Sequence, residues 1–208
     1  MQATLSAREV HELKKAPAVE GVLPVFHHRW SPRSYIEREV SPAVLKKVFE
    51  AARWAPSSSN EQPWRYVVGA QRSETYDKIF ATLVEGNQKW VRRVPVLMLG
   101  TAHTRFSKSG AENRFAMHDL GAASACLVLE AAALGLAAHQ MGGFNQDAAR
   151  NALGIPPEYA IGSVIALGYQ GEPADLADER MIAQETSPRS RKPLSEIVFS
   201  HWGEPAEF

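Results

Sequence analysis

"VPVLMLGT", residues 94–101, is a continuous apolar run of strand length. A run that short, with aliphatic and β-branched side chains on both parities, predicts a central strand covered on both faces rather than an amphipathic helix. Such a strand requires helices above and below it, and the flanking sequence supplies them. Upstream, "WRYVVGA" (64–70) is aromatic and β-branched and reads as a neighbouring strand. "SETYDKIFATLVEG" (73–86) returns to helical periodicity. Further back, Ser41 and Pro42 form a cap and first turn, and Val44, Leu45, Val48, Phe49 and Ala52 recur at helical spacing up to Trp54, before Pro56 ends the helix.

Downstream, an alanine-rich helix is expected from about Arg114 to Ala138, packed over the central strand. A short helix follows in "NQDAARNALGIPPEY" (145–159), capped by Asn145 and stopped by Gly154, and "AIGSVIALGYQ" (160–170) reads as the next strand. Alternating helices and strands place the chain in the α+β or α/β sandwiches. The polar stretch from Pro173 to Pro193 is expected to be an extended surface crossing leading into a C-terminal tail.

The 208 residues, 45% of them hydrophobic, suit one domain with one good core. Basic and acidic residues balance at 23 each, which removes the electrostatic case for a nucleic-acid or anionic-membrane binder and makes any anion site local. "DLGAASACLVLEAAALGLAAHQ" (119–140) approaches membrane-spanning length, but Glu130 interrupts it and small residues dominate, so a buried soluble helix is expected. The single cysteine, Cys126, allows no intramolecular disulfide and reads as a buried thiol. The N-terminus lacks an apolar core of signal-peptide length, so it reads as part of the mature protein, in a reducing cytoplasm.

Three polar stretches carry chemistry. "RWSPRSY" (29–35) places Arg29 and Arg33 around Ser31, and "SPRSRKP" (187–193) repeats the pattern with Arg189 and Arg191. If the two converge, guanidinium forks and hydroxyls make a phosphate clamp; taken singly, each is an ordinary surface loop. "APSSSNEQPWRY" (55–66) offers donors and acceptors between a helix end and a strand start, able to read the polar edge of a heterocycle or to form a self-satisfied turn. "HQMGGFN" (139–145) contains a glycine pair that permits positive φ and close approach to a flat ligand, or is a plain loop. The histidines show no metal-ligand spacing, and neither a G-x-G-x-x-G turn after a strand nor a P-loop is present.

In this order and spacing, from about Phe26 to Phe199, the stretches resemble the nitroreductase family of FMN-dependent oxidoreductases. The resemblance implies an α+β sandwich with a central mixed, mainly antiparallel sheet flanked by helices, in an intertwined homodimer. It implies FMN as cofactor and NADH or NADPH as electron donor. Arg29, Ser31, Arg33, Arg189 and Arg191 would hold the phosphate and ribityl chain, and Trp30 would add backbone and packing contacts. Pro56, Ser57 and Ser58 match the segment that reaches the flavin from the partner subunit, and Asn60 and Gln62 match residues at the pyrimidine edge. Met141, Gly142 and Gly143 match the segment whose amide faces the reactive ring nitrogen; many members carry an acidic residue where this chain has Gly142.

The implied activity is alternating hydride transfer from nicotinamide to flavin and on to a nitroaromatic, quinone or enone. Reductive dehalogenation, aldehyde reduction, flavin fragmentation and a non-catalytic flavin carrier remain open beside it, as does a flavin-free interaction module. A lid is expected over 86–93 and 103–115, and Trp202 and Phe208 are expected to pack on the partner.

Overall fold

A computed structural model describes residues 5–208; the first four residues of the N-terminal extension lie outside it. In chain order it contains α1 (Ala7–Leu13), α2 (Pro24–His28), β1 (Tyr35–Ile36), α3 (Pro42–Arg53), β2 (Trp64–Ala70), α4 (Glu74–Thr82), α5 (Glu85–Val91) and β3 (Val96–His103). Then follow α6 (Ala116–Ala133), β4 (Ala137–Met141), α7 (Gln146–Leu153), β5 (Tyr159–Gln170), α8 (Glu179–Glu185), β6 (Phe199–His201) and β7 (Glu204–Pro205).

The apolar run becomes β3, and seven of its eight residues are buried. It is flanked by β2, in register from Trp64 opposite Ala102 to Ala70 opposite Val96, and by β5, from Val96 opposite Leu167 to His103 opposite Tyr159. β5 also carries β4 and the short β1. Every pairing in this sheet is antiparallel. Alternate side chains of β3 feed two separate cores, as the period of a strand dictates. Leu97 and Leu99 join Tyr76, Ile79, Trp90 and Val91 of α4 and α5 on one face. Val96, Met98 and Ala102 join Val48 and Ala52 of α3 and Leu120, Ala123 and Leu127 of α6 on the other.

α3 begins at the expected cap, Ser41, whose hydroxyl accepts the Val44 N–H. α7 is capped by Asn145 and stopped by left-handed Gly154, again as its sequence requires. Three expectations need correction. The alanine-rich helix ends at Ala133 rather than Ala138, because Gly135 turns the chain at φ 76° and "AAHQM" continues as β4. Alanine is a weak strand former, so the pairing with β5 decides its state. The 173–193 crossing contains α8, capped by Asp178 and anchored by the buried Glu185. Cys126 is half-buried, at the edge of the outward face of α6.

That face bears Met117, Gly121 and Ala125, all exposed and spaced one turn apart, and no charged side chain lies between Asp119 and Glu130. No helix among the described residues is long and apolar enough to cross a membrane. In the tail, β6 and β7 pair only with each other, and Leu194, Ile197, Trp202 and Phe208 are exposed.

Candidate functional site

The two arginine clusters, 160 residues apart, meet. Arg29, Trp30, Ser31 and Arg33 line one cavity of about 200 Å³ together with Lys14, Gln184, Glu185, Arg189 and Arg191. Two contacts across the chain fix this convergence. The Arg189 guanidinium donates from Nη1 to the Arg29 carbonyl at 2.6 Å and from Nη2 to the His27 carbonyl at 2.7 Å. The carboxylate of Glu185 accepts the backbone N–H groups of Arg33 (2.9 Å) and Ser34 (3.1 Å).

Burial holds the Arg29 pKa below its ordinary value, and Arg191 adds repulsion. Arg189 is held down by burial first, then by Arg29 and Arg191. None of the four arginines forms an ion pair with a carboxylate among the described residues. Arg29 and Arg189 are thus partly desolvated and repelled by neighbouring guanidinium groups, and the cavity holds more cations than its one carboxylate, Glu185, can balance, an arrangement suited to an external anion. Arg29 Nη1 reaches Ser31 Oγ at 3.3 Å, so the hydroxyl stands beside the fork. Arg189 differs from the others: both terminal nitrogens are committed to the backbone, and its buried Nε has no partner. Its geometry is that of a residue that holds the 27–29 backbone in place.

His139, on β4, ties this loop to the sheet. Its Nδ1–H donates to the Pro32 carbonyl at 2.9 Å, and its ring stands 4.9 Å from that of Trp90. Burial pushes its pKa down to about 4 from an ordinary 6.5. In the unfolded chain the ring takes up a proton below about 6.5, whereas the folded protein resists until about 4, so acidification through this window favours unfolding by about 3 kcal/mol in total. Glu185 works in the opposite sense, since burial raises its pKa. The difference between profiles is therefore the quantity to read. Denaturant titrations of wild type and His139→Gln from pH 7 to about 4 should show the variant losing less stability, and parallel profiles would refute the assignment.

Three residues beyond His139, about 10 Å along extended chain, lies Gly142. Met141 is buried, Gly142 exposed and Gly143 half-buried. Neither glycine uses the positive φ that its residue type permits. Gly143 is required by packing: a Cβ there would lie 2.8 Å from Asn87 Nδ2 and 3.0 Å from Val84 Cγ2, and its carbonyl accepts from Asn87 Nδ2 at 2.9 Å. A Cβ on Gly142 would meet nothing within 4 Å, so the backbone there borders open space.

The serine stretch lies elsewhere. Its central residues, Ser58–Asn60, form a single 3-10 turn, and Ser59, Asn60 and Gln62 adopt left-handed backbone at φ 53°, 55° and 50°. Three non-glycine residues so placed mark a strained segment held by its surroundings. The Ser58 N–H donates to the buried Asp119 at 3.0 Å, the Gln62 N–H to Ser57 Oγ at 3.0 Å, and the Ser107 N–H to Glu61 at 2.8 Å. Pro56, Asn60 and Gln62 are exposed, and Ser57 and Ser58 half-buried.

Asp119 fixes this segment at the start of α6, while a cavity beside the arginine loop is lined by Val128 and Ala132 near its end. Nine to thirteen helical residues separate them, about 14–20 Å along the axis. One chain thus brings the arginines together near one end of α6 and leaves 56–62 at the other. The loop 103–115 forms a bridge between Arg105 and Glu112 and rests on Glu61. The other expected lid segment, 86–93, belongs mostly to α5, with Trp90 and Val91 buried in the core. Sequence reasoning missed Glu185 and His139 as supports of the arginine loop. Nothing local flags either one.

The nitroreductase family model matches residues 27–89 and 69–169. The chain belongs to the nitroreductase family. A protein of Archaeoglobus fulgidus, named in the NADH dehydrogenase/NAD(P)H nitroreductase class, is 30% identical over 168 residues, covering 78% of this chain and 94% of its own. An NADH dehydrogenase of Thermus thermophilus is 28% identical over 217 residues, covering 86% and 98%. A crystal structure described as an oxidoreductase containing FMN superposes with a TM-score of 0.83 at 32% identity, covering 90% of this chain and 94% of that one. The antiparallel sheet flanked by helices is therefore the nitroreductase fold.

Proposed function

We propose that this nitroreductase-family chain is an FMN-dependent NAD(P)H oxidoreductase that works as a homodimer and reduces nitroaromatics, quinones or enones. The observation that carries the reading is the convergence of Arg29, Arg33, Arg189 and Arg191 on one cavity whose lining includes a single carboxylate, Glu185, with the open backbone at Gly142 three residues beyond His139, which bonds to the Pro32 carbonyl of the arginine loop. These residues fit a flavin mononucleotide: cationic forks and Ser31 suit its phosphate, and side-chain-free backbone at Gly142 suits a flat ring.

When bound, FMN supplies two-electron chemistry, accepting a hydride from reduced nicotinamide and passing it to the acceptor. The protein's own part is to bind, orient and shield. Arg29, Arg33 and Arg191 hold the phosphate, Arg189 and Glu185 hold the loop that carries them, and Trp30 packs beside it. Backbone amides of the 141–143 segment would stabilise negative charge at the ring. No separate dinucleotide-binding fingerprint exists in the sequence, so donor and acceptor take turns over the same ring.

The separation of the serine segment from the arginines supports a site completed by a second copy. Pro56, Ser57, Ser58, Asn60 and Gln62 would complete the partner's site, with the outward face of α6 as the interface and the exposed tail wrapped over the other subunit. Anaerobic mixing of flavin-loaded protein with NADH or NADPH should bleach the yellow absorbance, and a quinone should restore it. Colour that persists with both donors would leave a flavin carrier in place of a reductase.

A further inference from the structure

We propose that Lys14, on the N-terminal helix α1, is a further ligand of the cofactor phosphate, and that α1 serves as a clasp closing the arginine cavity. The inference rests on the FMN reading above and adds a residue outside the 27–169 span that the family match covers.

α1 is a built element, not a trailing end. Ser6 and Glu9 form a reciprocal capping box at its start, and Val10 is completely buried. The Ala7 N–H donates to Glu172 at 2.6 Å, and Gln170 returns a hydrogen bond to the Ala7 carbonyl at 3.0 Å. The His11 ring stacks on His28 with centroids 5.8 Å apart. Together these contacts dock the helix against the end of β5 and against His28, beside the first arginine segment.

The docking delivers Lys14 to the cavity shared by Arg29, Ser31, Arg33, Arg189 and Arg191. The residue is 6% exposed. Its Nζ donates to the Gln184 carbonyl at 2.9 Å and sits 5.0 Å from the Trp30 ring centre. An ammonium has three N–H donors, and no second acceptor is recorded for it among the described residues. Burial lowers its pKa; Glu185 partly offsets this, and Arg189 and Arg33 add repulsion. Five cations thus face a single carboxylate, Glu185, around a cavity suited to a dianion. If Lys14 served only to neutralise Glu185, four arginines would still lack a counter-charge.

The test compares FMN with riboflavin, which lacks the phosphate, as probes of flavin-free protein. Lys14→Met should raise the FMN dissociation constant about tenfold, make it less sensitive to ionic strength, and leave riboflavin affinity unchanged. Lys14→Arg should restore most of the FMN affinity. Lys14→Gln, which keeps a donor for the Gln184 carbonyl, guards against loss of the fold and should behave like Lys14→Met. Lys15→Met, at a half-buried lysine paired with Glu12 and outside the cavity lining, should change nothing. FMN affinity and salt dependence unchanged in Lys14→Met and Lys14→Gln, with only the melting temperature lowered, would reduce Lys14 to a structural residue and overturn the proposal. A wild-type protein that takes up no FMN would instead defeat the cofactor reading on which the proposal rests.

Discussion

Replacing Arg29 and Arg191 together by alanine is expected to weaken FMN binding by roughly 100- to 1,000-fold while leaving the flavin-free protein as stable as the wild type. A charge-assisted hydrogen bond contributes about 1.5–3 kcal/mol, so two give about 3–6 kcal/mol before any coupling. The coupling is unfavourable without ligand, because Arg191 repels the half-buried Arg29, whose pKa is held down by burial and then by Arg191. Removing one therefore relieves strain on the rest, which places the double variant toward the lower end of that range. For the same reason the empty protein loses little. Arg189→Ala should behave differently, since both of its terminal nitrogens satisfy carbonyls of the 27–29 backbone. Leaving those partly buried carbonyls unpaired costs stability as well as affinity. Fluorescence titration with FMN, alongside thermal melts of the flavin-free variants, separates the two behaviours. Unchanged flavin affinity in the double variant would remove the phosphate assignment.

The parts of this architecture that were legible in the sequence are those governed by local rules. β3 announces itself because a strand covered on both faces must be apolar at every position, and α3 and α7 because a hydroxyl or amide cap precedes an amphipathic turn. β4 was hidden because alanine carries almost no strand signal and follows a helix of the same composition. Only pairing with Val164 to Gly168 makes it a strand. Glu185 was hidden for a similar reason: a glutamate in a polar stretch looks solvated, and only the backbone N–H groups of Arg33 and Ser34, some 150 residues away, give it a buried role. The arginine clusters were visible as chemistry, but their convergence is a property of the tertiary fold. Gly142 and Gly143 do not use the positive φ open to them, and left-handed backbone falls instead at Ser59, Asn60 and Gln62, residue types for which sequence patterns predict it less readily.

The same separation of segments makes the interface testable apart from the phosphate clamp. Ala125→Glu should convert the protein to a monomer in sedimentation experiments and abolish tight FMN binding, even though residue 125 lies mid-helix on the side of α6 away from its buried face. The position is exposed within one chain, so the substitution removes no internal contact and the isolated fold should melt within about 0.5 kcal/mol of the wild type. In a dimer packed through Met117, Gly121 and Ala125, two carboxylates related by symmetry would enter a seam of small and apolar residues. The desolvation penalty for an unpaired buried charge is several kcal/mol per ion, enough to dissociate an interface of ordinary affinity. Loss of the partner then removes Pro56, Ser57, Ser58, Asn60 and Gln62 from the opposite site, leaving an arginine clamp whose gross contribution of about 3–6 kcal/mol barely exceeds the cost of association, at least about 4 kcal/mol. The Arg29 and Arg191 variant should do the reverse, staying dimeric while losing flavin. An Ala125→Glu protein that remains a flavin-loaded dimer would place the interface on another face and the serine segment outside the site.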